Sequence, residues 1–182
     1  MRKIAAIDIG SNAVRMLICY VFPSGDEYVF QKNSYLRLPI RLGEDSFKNG
    51  IISNEKISLL TNAILSFKYI MKVHGVNDYK IYATSALRES RNSREVISIV
   101  KKNTDLNIEI ISGLKEAKII SKGNSLEKVE FNKTFLYVDV GGGSTEFSIL
   151  RKGKEKISRS FKIGTVRPVS YTHLTLPTSY AV

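Results

Sequence analysis

Two stretches far apart in the chain each end an apolar run on an aspartate and turn at once through small residues. They are Asp8-Ile9-Gly10-Ser11-Asn12 and Asp139-Val140-Gly141-Gly142-Gly143-Ser144-Thr145. The runs that precede them, residues 3–8 and 135–140, read as strands, the first of them buried. Glycine lets a backbone approach a ligand closely. The N–H groups of such a turn, with Ser and Thr hydroxyls beside them, suit an anion. A single Asp-x-Gly is explained by a tight hairpin turn. Two of them face to face would grip a chain of phosphates from both sides, with their carboxylates placed for a divalent ion.

Around these turns the pattern is that of an α/β protein. Residues 13–22 and 27–38 read as strands joined by the turn signal Pro23-Ser24-Gly25-Asp26. Residues 41–50 are polar and glycine-bounded, which predicts a loop. Ser53 then caps a long helix whose apolar positions Ile57, Leu60, Ile64, Phe67 and Met71 follow helical spacing, and Gly75 stops it. A strand over 80–84 leads to Ser85-Ala86-Leu87-Arg88 on a loop or short turn. Asn92, with Glu95 three residues on, predicts a capping box for a helix ending near Lys102. Residues 107–111 alternate as a strand, and 114–121 read as a helix closed by Gly123. Three further strands follow, 135–140, 145–150 and 154–161, the last two joined at Lys152-Gly153.

The chain has 182 residues, of which 43% are hydrophobic and 25% charged, so neither wholesale disorder nor a fibrous architecture fits. Twenty-eight basic residues stand against 17 acidic ones, a net charge of +11 that favours polyanionic partners. No apolar run approaches the ~18–20 residues of a membrane span. Asp8 breaks any signal-peptide core, and the single cysteine, Cys19, suits a reducing compartment. A soluble, cytoplasmic protein without membrane contact is expected. Every charged residue lies at or before Arg167. Residues 168–182 show neither helical nor strand periodicity, and Val169 to Thr178 resemble a translated sequencing adapter, so 168–182 is expected to be a non-native tail.

With both loops in place, the chain resembles the exopolyphosphatase/guanosine pentaphosphate phosphohydrolase family of the actin, Hsp70 and sugar-kinase superfamily. The resemblance runs from Ile4 to about Arg167. It rests on residues 6–12 with Arg15, Arg41-Leu42-Gly43-Glu44, residues 83–88 with Asn92, Ile110 to Gly113 with Glu116-Ala117, and residues 139–146. It departs from the family at Ala13, where relatives have Ser, and at Lys115, where they have Glu. The implied architecture is a ribonuclease-H-like lobe over residues 1–113. A hinge helix and an incomplete second lobe follow over 114–167. Three strands alone would leave an apolar face uncovered, so the truncated chain is expected to be poorly stable and inactive.

The implied activity is Mg²⁺-dependent release of terminal orthophosphate from inorganic polyphosphate or guanosine pentaphosphate. Glu116 is the candidate to orient or deprotonate water, and Arg88 to contact phosphate oxygens as a second catalytic group. Asp139, Glu146 and Asp8 are candidates to hold the metal. Ser11, Asn12, Arg15, Gly141, Gly142, Gly143, Ser144 and Thr145 are candidates to bind phosphate. Two other readings stay open: a superfamily kinase or ATPase using the same loops, and a non-catalytic alarmone, nucleotide or nucleic-acid binder. The nucleic-acid reading finds no helix-turn-helix or aromatic-studded RNA motif to encourage it. A homodimer is compatible with the full-length protein.

Overall fold

The computed structural model describes residues 1–25, 27–123, 134–151 and 154–167. The expected tail and the Lys152-Gly153 turn lie outside those residues. The expected mixed α/β, ribonuclease-H-like fold is what the chain adopts.

A five-stranded sheet takes the first half: β1 (Arg2–Ile9), β2 (Val14–Ser24), β3 (Glu27–Leu38), β4 (Asp78–Ala83) and β5 (Glu109–Ile110), in the order β3-β2-β1-β4-β5. β1 to β3 form an antiparallel meander, whereas β4 and β5 run parallel to β1. Alternation along β1 buries Ala5, Ile7 and Ile9 on one face and sends Ala6 and Asp8 to the other. The buried face packs with Val14, Met16 and Ile18 of β2 into the core. Helix α2 (Asn54–His74) covers it with Leu60, Ile64 and Phe67, side chains that each contribute roughly 1.5–3 kcal/mol on burial. Ser53 caps α2 as expected, its side chain accepting from the Lys56 N–H. Gly75 ends it at φ 67°, donating to the Lys72 carbonyl while Val76 donates to that of Met71.

Four local expectations need correction. Residues 41–50 are not a loop: helix α1 occupies Leu42–Asn49, entered through Arg41 at φ 57° and left through Gly50 at φ 72°. Its partners lie elsewhere in the chain. The Gly43 N–H donates to the Ser11 carbonyl at 2.8 Å, and Arg41 N–H to that of Asn12 at 2.9 Å. Ser46 Oγ donates to the Ala86 carbonyl at 2.6 Å. Residues 85–88 belong to a one-turn helix, α3 (Ser85–Glu89). Asn92 does precede α4 (Ser93–Thr104), yet its side chain makes no cap bond. It bridges to Ile52 instead, accepting from the N–H and donating to the carbonyl, both at 2.9 Å. The strand expected over 107–111 shrinks to the two residues of β5.

The chain then forms α5 (Gly113–Gly123) and a separate antiparallel sheet of β6 (Thr134–Val140), β7 (Thr145–Arg151) and β8 (Lys154–Phe161). Registers Asp139↔Glu146↔Ser160 and Ser148↔Ser158 make one face of this sheet polar. α5 packs against β7 and β8, with Gly113 so close that a Cβ there would stand 2.7 Å from Ser160 Oγ. The opposite face is an open apolar groove lined by Leu136, Phe147, Ile149, Ile157, Phe161 and Ile163.

Candidate active site

The two glycine turns are built alike. Gly10 N–H donates to the Ala13 carbonyl at 3.1 Å, and Gly141 N–H to that of Ser144 at 2.8 Å. In each, the aspartate precedes the turn and faces, across the hairpin, the residue that follows it: Asp8 against Arg15, Asp139 against Glu146. The turns meet tip to tip. A Cβ on Gly142 would stand 3.1 Å from the Ser11 Cβ, and one on Gly143 would stand 2.3 Å from Phe47 Cζ and 2.5 Å from Ser85 Oγ. Only glycine fits at position 143, because any side chain would push into α1 and α3. Ser11 Oγ and Ser85 Oγ share a hydrogen bond of 2.8 Å beneath the contact.

Between the turns, α5 and the polar side of the first sheet lies a cavity of about 420 Å³. Asp8, Ser11, Asn12, Arg15, Glu116, Asp139, Gly141, Gly142 and Ser144 all line it. Both aspartates therefore open into one space. Among the described residues, no backbone hydrogen bond uses the N–H groups of Ser11, Asn12, Gly142 or Gly143. Tyr82, Ile119 and Ile120 complete the wall.

Several expected site residues have other engagements. The Gly141 N–H closes its own turn, so it is not a free phosphate donor. Thr145 Oγ1 donates to the Ile163 carbonyl at 2.6 Å, and Thr145 does not line the cavity. Neither Gly143 nor Glu146 lines the cavity. Gly143 packs behind its turn against Phe47 and Ser85, and Glu146, 2% exposed, accepts from Ser160 Oγ at 2.8 Å. Arg88 stands outside the cavity as well. Its Nη1 donates to Glu116 Oε2 at 3.2 Å and to the Ile111 carbonyl at 2.9 Å.

Glu116 sits in the first turn of α5, its N–H donating to the Ser112 carbonyl at 2.9 Å. Burial lifts its carboxyl from the usual 4.5 to about 7, the charges of Glu146 and Asp8 push the same way, and Arg88 opposes them. Asp8 is also raised, first by burial and then by Asp139, with Arg15 at 3.5 Å working against the rise. Among the described residues, no three carboxylate, His or Cys side chains come close enough to cage a metal ion.

One contributor escaped the sequence reading. Arg167 Nε donates to the Gly143 carbonyl at 2.9 Å and Nη2 to Glu89 Oε1 at 2.7 Å, while its guanidinium lies 4.1 Å from the Phe47 ring centre. No local motif marks it. The signal lies in three segments that only the fold assembles.

Paired Asp-Gly turns of an α/β fold thus close on one cavity, with an acid of raised pKa at its wall. The chain matches the Ppx/GppA phosphatase family over residues 26–172 and belongs to that family. A bifunctional 3-dehydroquinate synthase/phosphatase of Fusobacterium nucleatum is 38% identical over 169 residues, 90% of this chain and 25% of that protein. A putative exopolyphosphatase of Haemophilus influenzae is 31% identical over 149 residues, 82% of this chain and 45% of its own length. The crystal structure of an exopolyphosphatase from Cytophaga hutchinsonii superposes with a TM-score of 0.83 at 26% identity, covering 98% of this chain and 56% of that one. The chain thus spans from a quarter to about half of the relatives it matches. Among the described residues, no helix is long and apolar enough to cross a membrane.

Proposed function

We propose that the protein carrying this chain is a phosphohydrolase that releases terminal orthophosphate from a linear phosphoanhydride chain. The substrate class is inorganic polyphosphate, in keeping with the exopolyphosphatases among its relatives, or guanosine pentaphosphate. The observation that carries the reading is the shared cavity: Asp8, Asp139, Glu116 and the turn amides all border one space.

Phosphoryl transfer asks a protein mainly for position and charge. The free N–H groups of Ser11, Asn12 and Gly142, with Arg15 at the rim, bind the phosphate oxygens. Glu116 orients a water at the terminal phosphorus and takes its proton, and the next phosphate leaves with the P–O bond electrons. A carboxyl near 7 matches that role, since a base works best with a pKa close to the working pH. Arg88 acts by holding Glu116 Oε2 and so fixing the direction of that carboxylate.

The donor set suits a hard divalent cation of the Mg²⁺ type. Such an ion commonly uses one or two carboxylates and completes its shell with water and substrate phosphate, so no three-carboxylate cage is required. Asp8 and Asp139, which face one cavity, would hold it. When bound, it neutralises charge on the transferred phosphoryl group. Glu146 is placed behind Glu116, where its charge tunes that carboxyl.

The test is orthophosphate release from polyphosphate with Mg²⁺ and without nucleotide, using the complete natural polypeptide. Release is expected, and Glu116→Gln should lower kcat about 10²–10⁴-fold while KM stays within about threefold. Activity only with ATP would favour the kinase or ATPase reading. Near-normal turnover of the variant would remove Glu116 from the mechanism.

A further inference from the structure

Arg167 makes contacts that no catalytic role explains. It comes from the segment after β8 and reaches back across the molecule to Glu89 and Phe47 of the first half. Its side chain is 12% exposed and has three partners: the carbonyl of Gly143, the carboxylate of Glu89 and the face of Phe47. The same segment adds three backbone bonds to the second turn, the first from the Thr165 N–H to the Gly141 carbonyl at 3.0 Å. Val166 N–H donates to the Gly142 carbonyl at 2.8 Å, and Arg167 N–H donates to it at 3.3 Å. Because a trans peptide points its C=O and the following N–H in opposite directions, holding the Gly142 and Gly143 carbonyls fixes the directions of the Gly143 and Ser144 N–H groups.

We propose that Arg167 is the positioning residue of the second phosphate loop, a latch that ties Gly143 to α1 and α3 and so sets the spacing between the two turns. The proposal rests on the phosphohydrolase reading. A guanidinium is needed because the latch uses Nε and Nη2 on two acceptors while the plane stacks on an aromatic ring. A lysine ammonium has the charge and none of that geometry. Glu89 is the anchor on the first half, and it also forms an ion pair with the Lys162 ammonium at 3.6 Å. Its neighbour in α3 is Arg88, which holds Glu116 of α5, so one short helix carries both the anchor of the latch and the partner of the water-positioning acid.

The test compares wild type, Arg167→Lys, Glu89→Gln and the double variant in the complete natural polypeptide. Calorimetric titration with tripolyphosphate is the binding readout. For Arg167→Lys the dissociation constant should rise about tenfold or more, and KM for polyphosphate by a similar factor, with kcat within about threefold. The thermal midpoint should fall by no more than a few degrees. Glu89→Gln should give a smaller rise, and the double variant should be no worse than Arg167→Lys alone, because both changes cut one latch. Affinity and KM within about twofold of wild type would overturn the proposal, as would effects that multiply in the double variant or a loss of cooperative folding that accounts for the weaker binding. A wild type that binds tripolyphosphate but releases no phosphate overturns the functional reading and leaves the latch to be judged by the titration. A wild type that does neither overturns both.

Discussion

In the proposed reaction Glu116 carries most of the chemistry, and its sequence neighbourhood is that of an ordinary helix glutamate. Its carboxyl reaches about 7 because it is buried and because Glu146 and Asp8, from two strands, add negative charge nearby. The sign of the consequence is fixed by linkage. A carboxyl whose folded pKa lies above its unfolded value contributes stability that is fully present below about 4.5 and is lost as pH rises through about 7. In metal-free protein, wild type should therefore lose stability relative to Glu116→Gln between those values, by at most about 3 kcal/mol. Urea midpoints at pH 4.5, 6 and 8 would measure it. A constant gap between the two proteins would show that Glu116 is not perturbed. Arg88 offsets part of the rise, and that pairing was not legible beforehand, because it joins α3 to α5 across 28 positions of chain.

At the scale of elements, long amphipathic segments were the easiest to read and short ones the hardest. The periodic apolar stripe of α2 and its Ser53 cap are local properties, and both appear in the structure. α1 has no such stripe. It is a helix because its first N–H groups bond to carbonyls of the first turn and its Ser46 hydroxyl to α3. Asn92 shows the same override: a residue suited to capping is instead pinned to the backbone of Ile52 on both sides. That bridge ties the start of α4 to the segment before α2. Asn92→Ala should cost about 1–3 kcal/mol, since it strands a backbone N–H and a carbonyl in a part-buried site. A denaturation midpoint unchanged from wild type would mean that water replaces the side chain at no cost.

At the scale of the whole molecule, the two sheets differ in how they are covered. The first buries one face under α2 and α4. The second turns its polar face to α5 and leaves Leu136, Phe147, Ile149, Ile157 and Phe161 in an open groove. Leu136 is 62% exposed and Ile157 53%, an unusual state for large apolar side chains on one face. Produced as these 182 residues alone, the chain should bind a hydrophobic dye such as ANS strongly and self-associate. Leu136→Lys should reduce both, measured by fluorescence and by sedimentation. A monomer that leaves the dye dark would show that the groove is closed in solution.

The division between what could be read in advance and what could not follows the range of the forces involved. Strand alternation, helix periodicity and the paired Asp-Gly turns are set by neighbours a few residues apart, so the amino-acid order alone determined the α/β pattern and the two candidate phosphate loops. The sharing of one cavity by Asp8 and Asp139, the raised carboxyl of Glu116, the helical state of residues 42–49 and the Arg167 latch were decided only in three dimensions. Each depends on desolvation, charge or hydrogen bonding between groups that the chain holds far apart and only packing brings within a few ångströms.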